Sequence, residues 1–262
     1  MNALIRTCAL VCAAACSSAV SEPSPIAVYA PGRAQGRSAD QLLGDASAAW
    51  ARRGEPGQAE AAQGMYLDAA VADAHRVDGL LGAMRALSFR IEYEHGAPRE
   101  KLATEEVELG QWCQRRAPTE AECDYRLAIA LGQQARERPS TGHDAVGRMV
   151  DLLHHAIAAA PRLDAGGPHR VLALVLLRAP SWPAGPGDNE EGLAQARAAV
   201  QLAPDSAANQ LVLGEALAAN DQAGEAQAAY RKAAALAVAA GRDPEAAHWL
   251  AEARSGIEKT GG

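Results

Sequence analysis

Apolar residues recur every three or four positions along most of the chain, which is the spacing of helices that bury one face. Capping residues and prolines mark several helix ends, because Ser38 and Asp188 are suited to begin helices and Pro161 and Pro204 to end them. This pattern predicts eleven helices, at residues 39–53, 57–72, 76–94, 101–116, 120–137, 143–160, 168–178, 189–203, 206–219, 222–240 and 244–257.

Two of the predicted helices end in similar sequences. Residues 155–161 (HAIAAAP) match residues 198–204 (AAVQLAP) in pattern, at an offset of 43 residues. A tetratricopeptide unit spans about 34 residues and consists of two helices. Residues 179–187, nine positions rich in proline and glycine, account for the excess as an insertion between the two helices of one unit.

The tetratricopeptide spacing also recurs at small and aromatic positions. Gly214 lies in a first helix, and Ala226 and Tyr230 take the alanine and aromatic positions of the second helix. Ala62 and Tyr66 repeat the second-helix part of this spacing. Small residues let two helices approach closely, while the aromatic ring fills the space beside them. We therefore predict an all-α, tetratricopeptide-like solenoid of about five helical hairpins with a C-terminal capping helix.

Composition and charge narrow the choice of partners. Alanine supplies about a quarter of the residues and aromatic residues only 4%, so the core depends on close approach of helix backbones. The formal net charge is −7, and acidic and basic residues are interspersed. Nucleic-acid binding depends on clustered positive charge, so the sequence excludes this class of partner.

The first residues have the layout of an export signal. Arg6 precedes a short apolar run, which is followed by small residues and is too short to span a bilayer. One expectation is cleavage after Ala19 or Ser21, and the alternative is a degenerate lipobox in which Cys16 carries a lipid. We expect the periplasm in both cases, with the lipid as an envelope anchor in the second. The domains are then a signal at 1–21, a flexible linker at 22–37, the repeat domain at 38–240, and a capping helix and tail at 241–262.

Export leaves two cysteines, Cys113 and Cys123, in the body of the protein. Pro118 ends one helix, and Thr119 with Glu122 forms a capping box that opens the next, so a short turn brings the two cysteines together. Because an oxidising compartment favours disulfides, we expect this pair to be bonded. The alternatives are two buried thiols, or a redox-active pair, whose usual spacing is two intervening residues instead of nine.

No catalytic arrangement is recognisable in the sequence. No histidine pair or His/Cys cluster has the spacing of a zinc site. The chain also lacks a phosphate-binding loop and a nucleophile elbow. We therefore expect no catalytic residue, no metal and no cofactor, and an enzyme would need a metal or reactive residue that these patterns do not reveal.

The insertion carries the main candidate for binding. Trp182 lies among prolines and glycines, and an indole on a stiff loop loses little entropy when it anchors a partner. The alternative is that Trp182 folds back onto residues 171–177 and completes the core. Because first helices line the concave face of such repeats, we expect Arg170, Arg178 and Asn209 to point into it. His169, at the polar start of the preceding helix, is a further binding candidate.

The same region resembles a known family. Its segments are 167–172 (GPHRVL), 178–183 (RAPSWP), 187–188 (GD) and 203–204 (AP), followed by Asn209. They resemble the T component associated with TRAP-type (tripartite ATP-independent periplasmic) transporters, and the resemblance is concentrated in about residues 128–236. It implies an exported, often lipidated, all-helical protein that assembles into a ring-like oligomer and meets the solute-binding subunit.

Together these observations predict a non-catalytic scaffold of the cell envelope that binds an exported partner protein. The resemblance implies that the partner is the solute-binding subunit of a TRAP-type transporter. The alternative is a periplasmic carrier that holds a small apolar ligand in an alanine-lined concave or pore surface. Contact with a membrane is expected only through a lipid on Cys16.

Overall fold

The computed structural model describes residues 22–32 and 36–261, so the predicted signal at 1–21, with Cys16, lies outside the described residues. This part of the chain contains helices and no strand, which confirms the all-α prediction. Every helix in it falls short of the length and apolarity that crossing a bilayer demands. The α-helices are α1 (Ala39–Ala51), α2 (Gln58–Ala72), α3 (Asp78–Tyr93), α4 (Arg99–Arg116), α5 (Ala121–Glu137), α6 (Gly142–Ala159), α7 (Gly167–Arg178), α8 (Asn189–Leu202), α9 (Ala207–Ala219), α10 (Ala223–Ala240) and α11 (Ala246–Thr260).

Side-chain caps mark the starts of four of the described helices, α1, α5, α8 and α9. Ser38 caps α1 by accepting a hydrogen bond from the Gln41 backbone, and the Gln41 side chain accepts one from the Ser38 backbone in return. The predicted capping box at Thr119 is wrong. Glu120 caps α5 instead, because its own carboxylate accepts from the backbone of Glu122 and satisfies a free N–H of the first turn.

Consecutive helices pack as hairpins, from α1 with α2 to α9 with α10, and α11 packs on α10 at the end of the stack. The odd-numbered helices also touch one another, α1 with α3, α3 with α5, α7 with α9 and α9 with α11. The first helices of the repeats therefore share one side of the solenoid, which we call the inner side. The insertion at 179–188 separates α7 from α8, within one hairpin, as predicted.

Tyrosine rings fill the gaps beside glycines at two hairpin junctions. A Cβ atom on Gly214 in α9 would lie 2.7 Å from the Tyr230 ring, and one on Gly256 in α11 would lie 2.5 Å from it. Tyr66 in α2 meets Gly82 in α3 in the same way. The predicted complementarity of small and aromatic residues therefore sets how closely these helices approach.

The hydrophobic core is divided unequally along the stack. One large cluster runs from Ile26 through α1–α6 and ends on α7, at Leu172 and its neighbours. A second, smaller cluster joins α7 to α10, mainly through alanines with Leu193 and Leu217. A third is smaller still and lies between α9, α10 and α11.

The disulfide joins the ends of α4 and α5. Cys113 and Cys123 are both fully buried, and their Cα atoms lie 5.4 Å apart. This separation falls within the range that a disulfide requires. The bond therefore ties together the two helices on either side of the Pro118 turn, inside the large core.

Residues 22–32 are attached to α2 and α4, which corrects the prediction of a flexible linker for this part of 22–37. Ile26 is 6% exposed and belongs to the large core. The Glu108 carboxylate accepts hydrogen bonds from the Ser24 backbone and the Tyr29 hydroxyl, and the Trp112 indole donates to the Ser24 carbonyl at 2.8 Å. An apolar anchor and these hydrogen bonds outweigh the proline- and serine-rich composition that predicted flexibility.

The two ends of the stack meet. Arg53, just after α1, pairs with Asp243 at 3.3 Å and with Glu245 at 3.2 Å, both in the turn between α10 and α11. Tyr93 of α3 packs edge-to-face against His248 of α11, with ring centroids 5.3 Å apart. The solenoid therefore closes into a ring, and the odd-numbered helices line its inside.

Candidate functional site

Residues 179–188 form a hydrogen-bonded loop between α7 and α8. The Gly187 backbone donates to the Pro180 carbonyl at 2.9 Å, and the Asp188 backbone donates to the Leu176 carbonyl at 3.0 Å. A Cβ atom on Gly187 would lie 2.9 Å from the Pro180 carbonyl, so this close approach requires glycine. The three prolines (Pro180, Pro183 and Pro186) and the hydrogen bonds fix the loop on the end of α7.

Trp182 stands on this loop with its side chain in solvent. Its exposed fraction is 87%, the highest among the large apolar side chains that the structure describes. The alternative in which it folds back onto residues 171–177 is therefore wrong. The peptide bond from Trp182 to Pro183 is cis. An indole with this exposure leaves most of its apolar area available to a partner.

Arg178, at the end of α7, is held by a carboxylate on the next first helix. Its Nε and Nη2 atoms each donate to Glu215 of α9 at 2.8 Å. These hydrogen bonds raise the pKa of Arg178, against the opposing effect of burial. The side chain remains 61% exposed, so it is both paired and accessible.

Arg170 and Asn209 form a polar joint inside the stack instead of a recognition surface. Arg170 donates to the Asn209 amide oxygen at 2.9 Å and to the Asp164 carboxylate at 2.8 Å. Burial opposes ionisation of Asp164, but Arg170 and a hydrogen bond from Tyr125 outweigh it and lower the pKa of Asp164. Asn209 is fully buried and donates to the Ala165 carbonyl at 2.9 Å, so it does not point into the concave face.

His169 lies away from Trp182, at the packing surface between α7 and α8. Its Nδ1 atom is 2.6 Å from the Gln195 side-chain oxygen, and the ring is half-buried. The structure therefore brings Arg170 and Asn209 together, leaves His169 in a helix–helix contact, and exposes Trp182 and Arg178 to solvent.

Sequence reasoning missed the polar side-chain contacts that join neighbouring first helices. Gln133 of α5 donates to Glu92 of α3 at 2.9 Å, and Arg136 donates to the same carboxylate at 2.8 Å. With the Arg178–Glu215 pair, these contacts make the junctions between odd-numbered helices charged. The residues are visible in the sequence as polar positions of first helices, but their pairing depends on the register between hairpins.

Another missed residue is a fully buried acid, Glu106 of α4. Its carboxylate accepts a hydrogen bond from Ser88 at 2.5 Å, and its second oxygen has no hydrogen-bond partner. Burial raises the pKa of Glu106 to about 8. The side chain is closed off by α3, α4 and α5, so this unusual acid has no route to a substrate.

Clefts and metal-ligating residues offer no site around Trp182. Within the described residues, no group of three or more His, Cys, Asp or Glu side chains is arranged to hold a metal ion. A cleft of about 640 Å³ lies beside Tyr29 and the first turn of α4. A second, of about 330 Å³, lies where the ends of the ring meet.

Solved structures similar to this chain are tetratricopeptide-repeat proteins. The thermophilic TPR protein TTC0263 of Thermus thermophilus superposes with a TM-score of 0.61 at 19% identity, over 82% of this chain and 98% of that chain. MamA (41-end) from Desulfovibrio magneticus RS-1 gives a TM-score of 0.50 at 18% identity, over 78% and 97%. No protein-family model and no curated protein sequence matches the chain. The chain thus has the fold of a tetratricopeptide α-solenoid.

Proposed function

We propose that this protein is a non-catalytic scaffold that binds a partner protein through Trp182. The observation that carries the proposal is the 87% exposure of this indole on a loop that is itself held by backbone hydrogen bonds. Interface hot spots are enriched in tryptophan, and a fixed loop avoids the entropic cost of ordering on binding. The rigid α7–α8 hairpin supplies the base from which the indole projects.

Arg178 is proposed to orient the partner protein on the Trp182 loop. It lies four residues before Trp182 and is the accessible charged residue of the four polar candidates. Its carboxylate partner Glu215 fixes the guanidinium, so a partner meets an apolar anchor with an oriented ion pair at its edge. Arg170 and Asn209 support this arrangement from inside the stack.

The finer proposal concerns location and partner. The predicted export signal supports a periplasmic protein, and the resemblance of residues 167–209 to the TRAP-associated T component supports a solute-binding subunit as the partner. Cys16 would carry the lipid that anchors the protein to the envelope. Assembly of several copies into a ring belongs to the same proposal.

The carrier hypothesis receives less support. An apolar ligand needs an apolar concavity, whereas the inner side carries Glu92, Arg136, Arg178 and Glu215 at its helix junctions. Native mass spectrometry of the full chain separates the two hypotheses, because a co-purified lipid or organic acid favours the carrier and a co-purified protein favours the scaffold.

The direct test is Trp182→Ala, assayed against a purified TRAP-type solute-binding protein by calorimetry. We expect at least a tenfold loss of affinity, the scale of a hot-spot residue, with an unchanged helical circular-dichroism signal. Val238→Ala removes an apolar side chain that is 64% exposed on α10 and serves as the matched control. Equal affinities for the two variants would contradict the role of Trp182.

A further inference from the structure

The contact that closes the ring differs in kind from the contacts that build it. Each hairpin buries apolar side chains against its neighbours, whereas the ends meet mainly through ion pairs, with the Tyr93–His248 ring contact beside them. Arg53 lies over the Trp50 ring at 4.9 Å and reaches Asp243 and Glu245 from there. The partner turn, which precedes α11, contributes only carboxylates and Pro244 to this contact.

The two turns touch closely at Gly54 and Pro244, and an open cleft lies beside this contact. The cleft of about 330 Å³ lies between the turn after α1, the rings of Phe89 and Tyr93, and Pro244. Solvent therefore reaches one side of the closing contact. Tyr93 and His248, whose rings meet across the closure, touch edge-to-face, and the His248 side chain stays 45% exposed.

We infer that this contact is a latch, which opens while the hairpins stay folded and thereby exposes the inner side of the ring. In a solenoid each repeat contacts only its neighbours, so separating the two ends breaks none of the interfaces between hairpins. Small rotations, shared over all the hairpin junctions, are enough to part the two turns.

The latch has a consequence for binding that goes beyond the Trp182 contact. Trp182 is exposed already in the closed ring, whereas opening the latch widens the access of a polypeptide to the inner side. The protein therefore has one surface that is available in the closed ring and a second that becomes more accessible on opening. The latch residues and Trp182 lie on different loops, so each can be substituted without the other.

Arg53→Ala in the full-length chain tests the latch, with Arg52→Ala as the matched control. Arg52 is the neighbouring residue, is exposed, and forms no ion pair in the described structure. Hydroxyl-radical labelling of Tyr93 and Phe89 measures access to the closure, and small-angle scattering measures the maximum dimension. We expect at least threefold more labelling of both rings and a longer particle for Arg53→Ala, and wild-type values for Arg52→Ala.

A second variant and an internal reference keep the test decisive. Asp243→Asn with Glu245→Gln removes the charges from the other side and leaves Arg53 stacked on Trp50, so it should open the ring as well. Labelling of buried Tyr66 should stay at the wild-type level, because the hairpins remain folded. Labelling and dimensions equal to the control, or a parallel rise at Tyr66, would overturn the latch.

Discussion

The two halves of the solenoid use different means to hold their helices together. From α1 to α6 the chain builds one continuous core of large side chains, with a buried disulfide and a buried acid. From α7 to α11 the cores are small and rich in alanine, and the helices approach closely around Tyr230. Yet the second half follows the tetratricopeptide spacing best.

The comparison shows that a recognisable repeat motif indicates helices that approach closely. It does not indicate a large hydrophobic core. Where alanine and glycine form the interface, the motif residues must be kept in register, because no large side chain compensates for a misplaced ring. Where leucines fill the space between helices, many sequences give the same packing, so the tetratricopeptide motif is harder to recognise in the sequence. The first half is therefore the better packed and the less recognisable.

The largest expected effect compares one leucine from each half. Leu131 is fully buried in the large core, and Leu217 is 3% exposed in the second cluster. We expect Leu131→Ala to lower the free energy of unfolding by about 4 kcal/mol and Leu217→Ala by about 2 kcal/mol. Denaturant titration measures both, and equal losses would show that the two cores are equivalent.

Glu106 gives the first half a pH dependence through a fully buried carboxyl. The folded state, with a pKa of about 8, keeps a proton that the unfolded chain releases above its ordinary pKa of 4.5. The stability contribution of this group is therefore fully present below pH 4.5 and is lost as the pH rises from there through 8, by roughly 5 kcal/mol. Glu106→Gln cannot ionise, so its melting temperature should fall less between pH 5 and pH 8. Parallel curves for variant and wild type would contradict this account.

The disulfide is expected to stabilise the first half by constraining its unfolded chain. Cys113→Ser opens a short loop, and chain entropy predicts a loss of about 3 kcal/mol in the free energy of unfolding. Thermal melts of oxidised protein, with dithiothreitol-treated wild type beside them, measure the effect. If the reducing agent leaves the wild-type melt unchanged, the bond contributes nothing to stability.

Close approach in the second half predicts an overpacking penalty at Gly214. An added methyl group would meet the Tyr230 ring, so Gly214→Ala should lower the free energy of unfolding by about 1–3 kcal/mol. Gly224, in the first turn of α10, has open space where a Cβ would lie. Gly224→Ala should therefore be neutral or stabilising. If Gly214→Ala left the free energy of unfolding unchanged, the space beside the Tyr230 ring would be large enough for a methyl group.

Features of the fold that depend on residues close together in the sequence could be predicted. Contacts between residues far apart in the sequence could not. The helices, the Pro161 and Pro204 ends, the Asp188 cap and the Cys113–Cys123 bond follow from neighbouring residues. The end of α11 shows the limit, because it was predicted at residue 257 and lies at Thr260. Periodicity identifies the apolar face of a helix but not the residue at which its last turn frays.

The candidate site likewise combines features that neighbouring residues determine with contacts between distant residues. The insertion and its tryptophan were predictable from proline and glycine content, whereas the burial of Asn209 was not, because its carbonyl partners lie up to 44 residues away. The Arg53–Asp243 pair spans 190 residues. Such a contact depends on rotations accumulated over every hairpin, and helical periodicity carries no information about them.

The central claim is that Trp182 is the point of contact with a partner protein. Site-specific photo-crosslinking in living cells tests it, with p-benzoylphenylalanine placed at position 182 or, as the control, at the exposed position 238 on α10. We predict a discrete protein adduct from position 182 and none from position 238. No adduct from position 182, or the same adducts from both positions, would contradict the claim.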